Sequence, residues 1–354
     1  MNRREFIAGA GACAAAGLAP RAFAAKPEEI RAVLLHMGKN MWGDWRLPDE
    51  PEEKDGRKYA ADHIRFDEQI WQETTTHMSE RGMNMVLIDL GEFMEFPSHP
   101  ELAVKGSWSP DRMRAEVARL KGMGLEPVPK LNFSATHDQW LKIYHRMLST
   151  PAYYQVVKDV IRDTAEVFGT PRFFHLGWDE ERADYAYQRG HFSMRTGELW
   201  WHDFLYTVKC AEDCGCRPWI WSDYGWDHRD EYLRKCPKSV LQSNWYYDEQ
   251  LGKYSLDPKV NKHAHRLVQF TDLDKAGFDQ VPCGTNWAGA GARYYRKTGG
   301  DDIIGALVPY CRKTISAEHL KGFLMAPWTN CAERGKPYEA NIKGIDLFAE
   351  ALKS

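Results

Sequence analysis

Residues 171–181 read Pro-Arg-Phe-Phe-His-Leu-Gly-Trp-Asp-Glu-Glu, an apolar run ending in adjacent carboxylates beside a His and a Trp. At the end of a buried strand, desolvation and a neighbouring negative charge both raise a carboxyl pKa. That suits a carboxyl to proton transfer near neutral pH. Asp179 and Glu180 are therefore the candidate acid–base pair. The plainer alternative is helix capping, because acidic side chains favour the first turn of a following helix.

An acidic pair is useful only if other elements bring partners to it. Eight apolar runs cover residues 31–38, 83–91, 125–133, 172–179, 217–224, 240–246, 280–287 and 322–328. Helical periodicity at 66–81, 111–123, 139–168, 197–214 and 301–313 separates most of them. Gly82, Gly124, Gly169 and Gly215 stand where helices should stop before strands begin. This alternation predicts an α/β fold, a single-domain (β/α)8 TIM barrel over residues 25–354. The weakest unit is 251–274, which is polar and loosely periodic.

A barrel of this kind carries its site at the carboxyl ends of its strands. Read in order, those ends hold His36, Lys39 and Trp42; Asp89 and Glu92; Asn132 with His137; Asp179 and Glu180; Trp221, Asp223 and Tyr224. The last three strands end in Asn244, Trp245 and Tyr246; Asn286 and Trp287; Trp328 and Asn330. Aromatic faces interleaved with carboxylates and amides suit a sugar, whose C–H faces stack while its hydroxyls take polar partners. The chain has 14 Trp, 16 Tyr and 15 Phe, which fits an open aromatic-lined site or Trp wedged between helices and sheet.

The formal net charge of −3 and the lack of a long basic run exclude the electrostatic footprint of a nucleic-acid binder. At the N-terminus, Arg3-Arg4 precede an Ala/Gly-rich stretch and Ala22-Phe23-Ala24. This is the pattern of a twin-arginine signal over residues 1–24, predicting export to the periplasm or beyond and a mature chain without membrane insertion. Of eight cysteines, Cys13 lies in that leader and seven follow it. The cluster Cys210, Cys214 and Cys216 lacks the paired spacing of structural zinc sites, leaving free thiols or one disulfide, within the cluster or to Cys236.

At these strand ends the chain resembles the family 20 glycoside hydrolases, the β-N-acetylhexosaminidases. Their fourth strand carries H-x-G-G-D-E, matched by His175-Leu176-Gly177-Trp178-Asp179-Glu180 except at Trp178. Their third-strand P-E-x-D-x-P-G-H is echoed by Pro129 to His137, with Asn132 in the Asp place and His137 one residue late. Trp219 to Asp223 resembles their W-x-D, and Trp245 and Trp328 their pocket tryptophans. Lys39 and Asn330 stand where the family has a sugar-gripping Arg and Glu, and Thr285-Asn286-Trp287 replaces its Y-x-D.

The resemblance implies retaining, substrate-assisted hydrolysis of 2-acetamido glycosides without a cofactor or metal. Glu180 would be the general acid and base, with Trp178 among the apolar neighbours that raise its pKa. Asp179 would orient the acetamide, with His175, Asn132 and His137 as orienters. Trp221, Asp223, Trp245, Tyr246, Trp287, Trp328, Asn330 and Lys39 would line the sugar pocket. Adjacent strand residues face opposite ways, so both carboxylates reach one pocket only if the chain bends at Asp179. The altered shell implies a preference for a longer or anionic glycan over a simple terminal N-acetylhexosamine. Two rival readings are a carbohydrate-binding barrel without turnover and a metal-dependent hydrolase using Asp89, His175, Asp179 and Asp223. No H-x-H spacing supports the latter.

Overall fold

A computed structural model describes residues 28–45, 53–54, 57–183, 191–247, 256, 259, 263–286 and 303–354. Eight parallel strands run in order: β1 Ile30–His36, β2 Met85–Asp89, β3 Glu126–Lys130, β4 Phe173–His175, β5 Arg217–Trp221, β6 Leu241–Ser243, β7 Cys283–Gly284 and β8 Gly322–Met325. Neighbouring strands pair in sequence from β1 to β6, and β1 also pairs with β8, which pairs with β7. Parallel bridges Gln242 to Gln280 and Trp245 to Cys283 join β6 to β7, so the sheet closes on itself. The (β/α)8 barrel is therefore as the sequence predicts.

Strand alternation divides the core in two. Ala32, Leu34, Met85, Leu87, Val128, Phe173, Trp219, Leu241 and Leu324 fill the barrel. Their neighbours Val33, Leu35, Val86, Ile88, Phe174, Ile220 and Phe323 face outward into the layer beneath the helices. That outer layer is built by α1 Glu68–Glu80, α2 Pro110–Gly122, α3 Pro151–Val167, α4 Gly197–Asp213, α5 Arg229–Lys235, α6 Ala264–Lys275, α7 Ile303–Thr314 and α8 Lys336–Ala351.

Local chemistry explains the helix starts. Asp67 accepts from the Ile70 N–H, Ser109 from Arg112 and Thr150 from Tyr153, and Pro110 and Pro151 open their helices. One expectation needs correction here: residues 139–168 are two elements, a 3₁₀ segment Gln139–Arg146 and then α3. Ser149 takes φ +62° between them and Pro151 restarts the helix. The seven described cysteines are unpaired. Burial pushes Cys210 up to about 11 and Cys216 and Cys236 up to about 12, so these three stay protonated. No described helix is long and apolar enough to cross a membrane.

Candidate active site

Strand β4 stops at His175 because the chain beyond it leaves the extended region: Gly177 has φ +73°, Trp178 +70° and Glu180 +58°. Glycine is needed at 177, where a Cβ would lie 2.0 Å from Asn132 Oδ1 and 2.8 Å from its Cα. For Trp178 and Glu180 the left-handed conformation costs about 1–3 kcal/mol each. Hydrogen bonds hold it in place. Asn132 Oδ1 accepts the N–H groups of Ser134 and Trp178 at 3.0 and 3.2 Å, and Asp223 Oδ2 accepts the Glu180 N–H at 2.9 Å.

The bend brings both carboxylates to one group. His137 Nε2 lies 3.4 Å from Glu180 Oε2 and 3.5 Å from Asp179 Oδ2. Asp179 is also held from its other side: Asn132 Nδ2 donates to Asp179 Oδ1 at 2.7 Å. With Asn132 Oδ1 committed to two backbone N–H groups, its amide has only one orientation that satisfies all three partners. The loop after β3 thus presents an amide donor and an imidazole to the acidic pair after β4. The pair is therefore not a simple helix cap: its carboxylates meet the Asn132 amide and the His137 imidazole from the loop after β3.

Aromatic side chains wall this point. Trp42 packs against His137 at 5.2 Å and Trp328 at 6.0 Å between ring centroids, and Trp328 lies 5.7 Å from Trp221. Trp328 itself takes φ +54° and donates Nε1–H to the Tyr247 hydroxyl at 3.0 Å. Trp221 is almost fully enclosed, a floor beneath Trp328 and His175 rather than an open platform. Trp245 is half-buried, stacked on Tyr247 at 4.9 Å and edge-on to Trp226 at 4.3 Å.

Strand alternation sends Tyr246 the other way, into the outer layer. Tyr247 shares the inner face with Trp245 and Trp328 and replaces Tyr246 as the site residue of this strand. The period-two rule applied to 245–247 would have found it. Trp178 also faces outward, against Trp200 at 5.2 Å and Phe204 at 5.5 Å with the Arg195 guanidinium 4.2 Å above it, so it is not the apolar neighbour of Glu180.

Other sequence candidates serve the scaffold. His175 is wholly buried and its Nδ1 accepts the Gly177 N–H at 3.1 Å, so it fixes the bend from below. Burial and then the Lys130 charge hold it neutral, well below the usual imidazole range. Asn330 pairs with His36 at the end of β8, and its Oδ1 accepts the Ala332 N–H at 2.9 Å. Lys39 is buried, and its N–H donates to Glu92 Oε1 at 2.8 Å. Trp287 lies outside the described residues.

Two buried charge pairings were missing from the sequence reading, although it placed His36 and Asp89 at strand ends. Inside the barrel Lys130 Nζ lies 2.6 Å from Asp89 Oδ2, with His36 Nδ1 at 3.1 Å. Burial alone would raise Asp89, but the Lys130 ammonium and His36 hold it down at about 2. Behind the acidic pair, Glu181 accepts the N–H of Ala135 and is clamped by Arg195, which also donates to the Phe133 carbonyl. The position of Glu181 beside Glu180 was its only signal in the sequence, and Arg195 had none.

Electrostatics single out one further carboxyl. Burial first, then the charge of Asp179, pushes Asp223 up to about 7. A cation is the remaining geometric option: one ligand atom from each of His137, Asp179 and Glu180 lies within 4.8 Å of the others. The Asn132 N–H already occupies Asp179 Oδ1, which favours a hydrogen-bonded carboxylate over a metal cage.

The molecule is thus an eightfold barrel with an acidic, aromatic-walled site at the carboxyl ends of its strands. No family model and no curated protein sequence matches the chain. Solved structures do share its fold. The catalytic barrel of the pneumococcal virulence factor StrH, solved for N-glycan recognition and hydrolysis, superposes with a TM-score of 0.55 at 12% identity, over 92% of this chain and 84% of that one. The β-N-acetylhexosaminidase of Bacteroides fragilis gives 0.57 at 11% identity, over 90% and 66%. The family 20 exo-β-N-acetylglucosaminidase of Vibrio harveyi, in complex with N-acetylglucosamine, gives 0.57 at 12%, over 92% and 54%. The chain has the barrel fold of these family 20 enzymes.

Proposed function

We propose that the protein is a glycoside hydrolase that cleaves 2-acetamido glycosides with retention, the acetamide oxygen of the substrate acting as nucleophile. The observation that carries this reading is the convergence of Asp179 and Glu180 on one imidazole inside an aromatic ring of side chains. Two-carboxylate glycosidases set their acids on opposite sides of the scissile bond, about 5–9.5 Å apart. Neighbouring residues that share His137 lie on one side of a sugar, so neither is placed as a nucleophile facing the other. Glu180 protonates the leaving oxygen and later takes a proton from water. Asp179, oriented by Asn132, accepts the acetamide N–H and balances the charge that grows on the oxazolinium ring.

Release of chromophore from aryl β-N-acetylglucosaminide and galactosaminide, with and without chelator, tests the reading. Silence on every such glycoside would favour a carbohydrate-binding barrel, and chelator-sensitive activity a metal-dependent hydrolase. The Asp179→Asn variant is expected to lose kcat on 2-acetamido substrates far more than binding, because the group acts mainly as charge develops. An equal loss on 2-hydroxy substrates would remove the substrate-assisted step.

Recognition follows from the altered shell. A charged hydrogen bond contributes about 1.5–3 kcal/mol and a neutral one about 0.5–1.5. Asn330, with its Oδ1 already accepting the Ala332 N–H, therefore offers a bare terminal sugar less than a Glu at that position would. Longer or anionic glycans are expected to exceed simple aryl N-acetylhexosaminides in kcat/KM across a glycan panel; the reverse order would make the substitutions neutral. We also infer export by the twin-arginine route. Replacing Arg3 and Arg4 with Lys should leave the precursor in the cytoplasm, and an unchanged distribution between fractions would refute that route.

A further inference from the structure

Proton transfer by Glu180 depends on where its side chain points, and one buried carboxyl of the site still lacks a role in that. Asp223 follows β5 and is 5% exposed. Its Oδ2 accepts the Glu180 N–H at 2.9 Å, while its Oδ1 is buried with no hydrogen-bond partner. Asp223 is thus tied by its side chain to the backbone of the acid and to no other described group.

The backbone at Glu180 is where such a tie matters. At φ +58° its N–H belongs to neither a strand ladder nor a helix, and a buried N–H without a partner is disfavoured. The same torsion fixes the direction of the Cα–Cβ bond, so whatever secures that N–H also aims the carboxyl. We propose that Asp223 is a positioning residue for proton transfer, aiming the Glu180 carboxyl at the glycosidic oxygen through the Glu180 amide. This deepens the glycosidase reading and rests on it. Burial and the Asp179 charge keep a proton on Asp223 up to about 7. In that form its carbonyl oxygen accepts the N–H without adding a third negative charge beside Asp179 and Glu180. His137 meets the Glu180 carboxyl from the opposite loop, so the acid is held at both ends, side chain and backbone.

Two variants of Asp223 separate aiming from simple packing. Asp223→Ala removes the acceptor and should lower kcat on a 2-acetamido glycoside by ~100-fold with KM within ~3-fold, since a misplacement of about 1 Å has that effect on a reacting group. Asp223→Asn keeps an oxygen for the same N–H and should restore kcat to within ~5-fold of the unaltered protein. An alanine variant with unaltered kcat, or an asparagine variant as impaired as the alanine one, overturns the proposal. Crystal structures of both variants give a readout independent of turnover: the Glu180 carboxyl should leave His137 in Asp223→Ala and stay beside it in Asp223→Asn. A Glu180 that does not move in Asp223→Ala also overturns the proposal. If the unaltered protein hydrolyses no glycoside, the glycosidase reading fails, and the two structures still decide whether Asp223 positions Glu180.

Discussion

Glu180→Gln is expected to reduce kcat by about 10²–10⁴-fold while binding of a 2-acetamido sugar is retained, because general acid–base catalysis contributes about that much. The amide has nearly the shape of the carboxyl and keeps its packing, but it has no proton to give to the leaving oxygen. The loss should be larger for a sugar or alkyl leaving group than for nitrophenol, whose oxyanion needs little protonation to depart. Comparing the two leaving groups therefore reports on the proton itself and not on misfolding. In the proposed mechanism Glu180, not Asp179, is the donor. Asp179 is engaged on one oxygen by the Asn132 N–H and lies near His137 on the other, so the loop after β3 orients it for the acetamide. Glu180 meets the His137 imidazole with its carboxyl and is held at its backbone by Asp223. A Glu180→Gln enzyme with near-normal kcat on both leaving groups would take Glu180 out of the acid role.

How much of this was legible in the sequence follows from which forces are local. Period-two apolar runs and glycine stops between them report burial and turn geometry, so the eight strands and most of the helices could be read directly. The third helical segment was read as one because its periodicity carries through Ser149, although Thr150-Pro151 is a cap and helix start. Helix α8 was not anticipated, yet Asn341, Ile345 and Phe348 are buried on one face at helical spacing.

The acidic pair was found because adjacent carboxylates after an apolar run are costly unless used. The torsions that bring the pair together were not legible, because Gly177 announces flexibility while Trp178 and Glu180 do not. Their left-handed angles are stabilised by Asn132 and Asp223, each more than 40 residues away in sequence. Strand-end position alone put Tyr246 in the site. The alternation that sends it outward and Tyr247 inward was equally available in the sequence, and it should have taken precedence.

Asp223 also predicts a pH dependence of stability that is separate from turnover. Its carboxyl is raised from 3.8 to about 7 by burial and by Asp179, with Glu180 beside it in the loop after β4 and Tyr232 facing it from α5. Between those two values the folded protein holds a proton that the unfolded chain has lost. The stability linked to that proton is fully present below 3.8 and is lost as pH rises through about 7. The span corresponds to ~4 kcal/mol at 1.36 kcal/mol per unit.

Other buried groups contribute as well: Glu92, raised by burial, acts in the same direction as Asp223. His36 and His175 are kept neutral by burial and favour folding as pH rises, whereas Asp89 titrates near 2. The comparison must therefore be between Asp223 and Asp223→Asn, in which these other contributions cancel. Urea unfolding of both proteins from pH 4 to 8 should show the Asn variant gaining on the unaltered protein across the window, by up to ~4 kcal/mol. Parallel curves would mean that Asp223 is ionised in the folded state at neutral pH, leaving three negative charges side by side in the site.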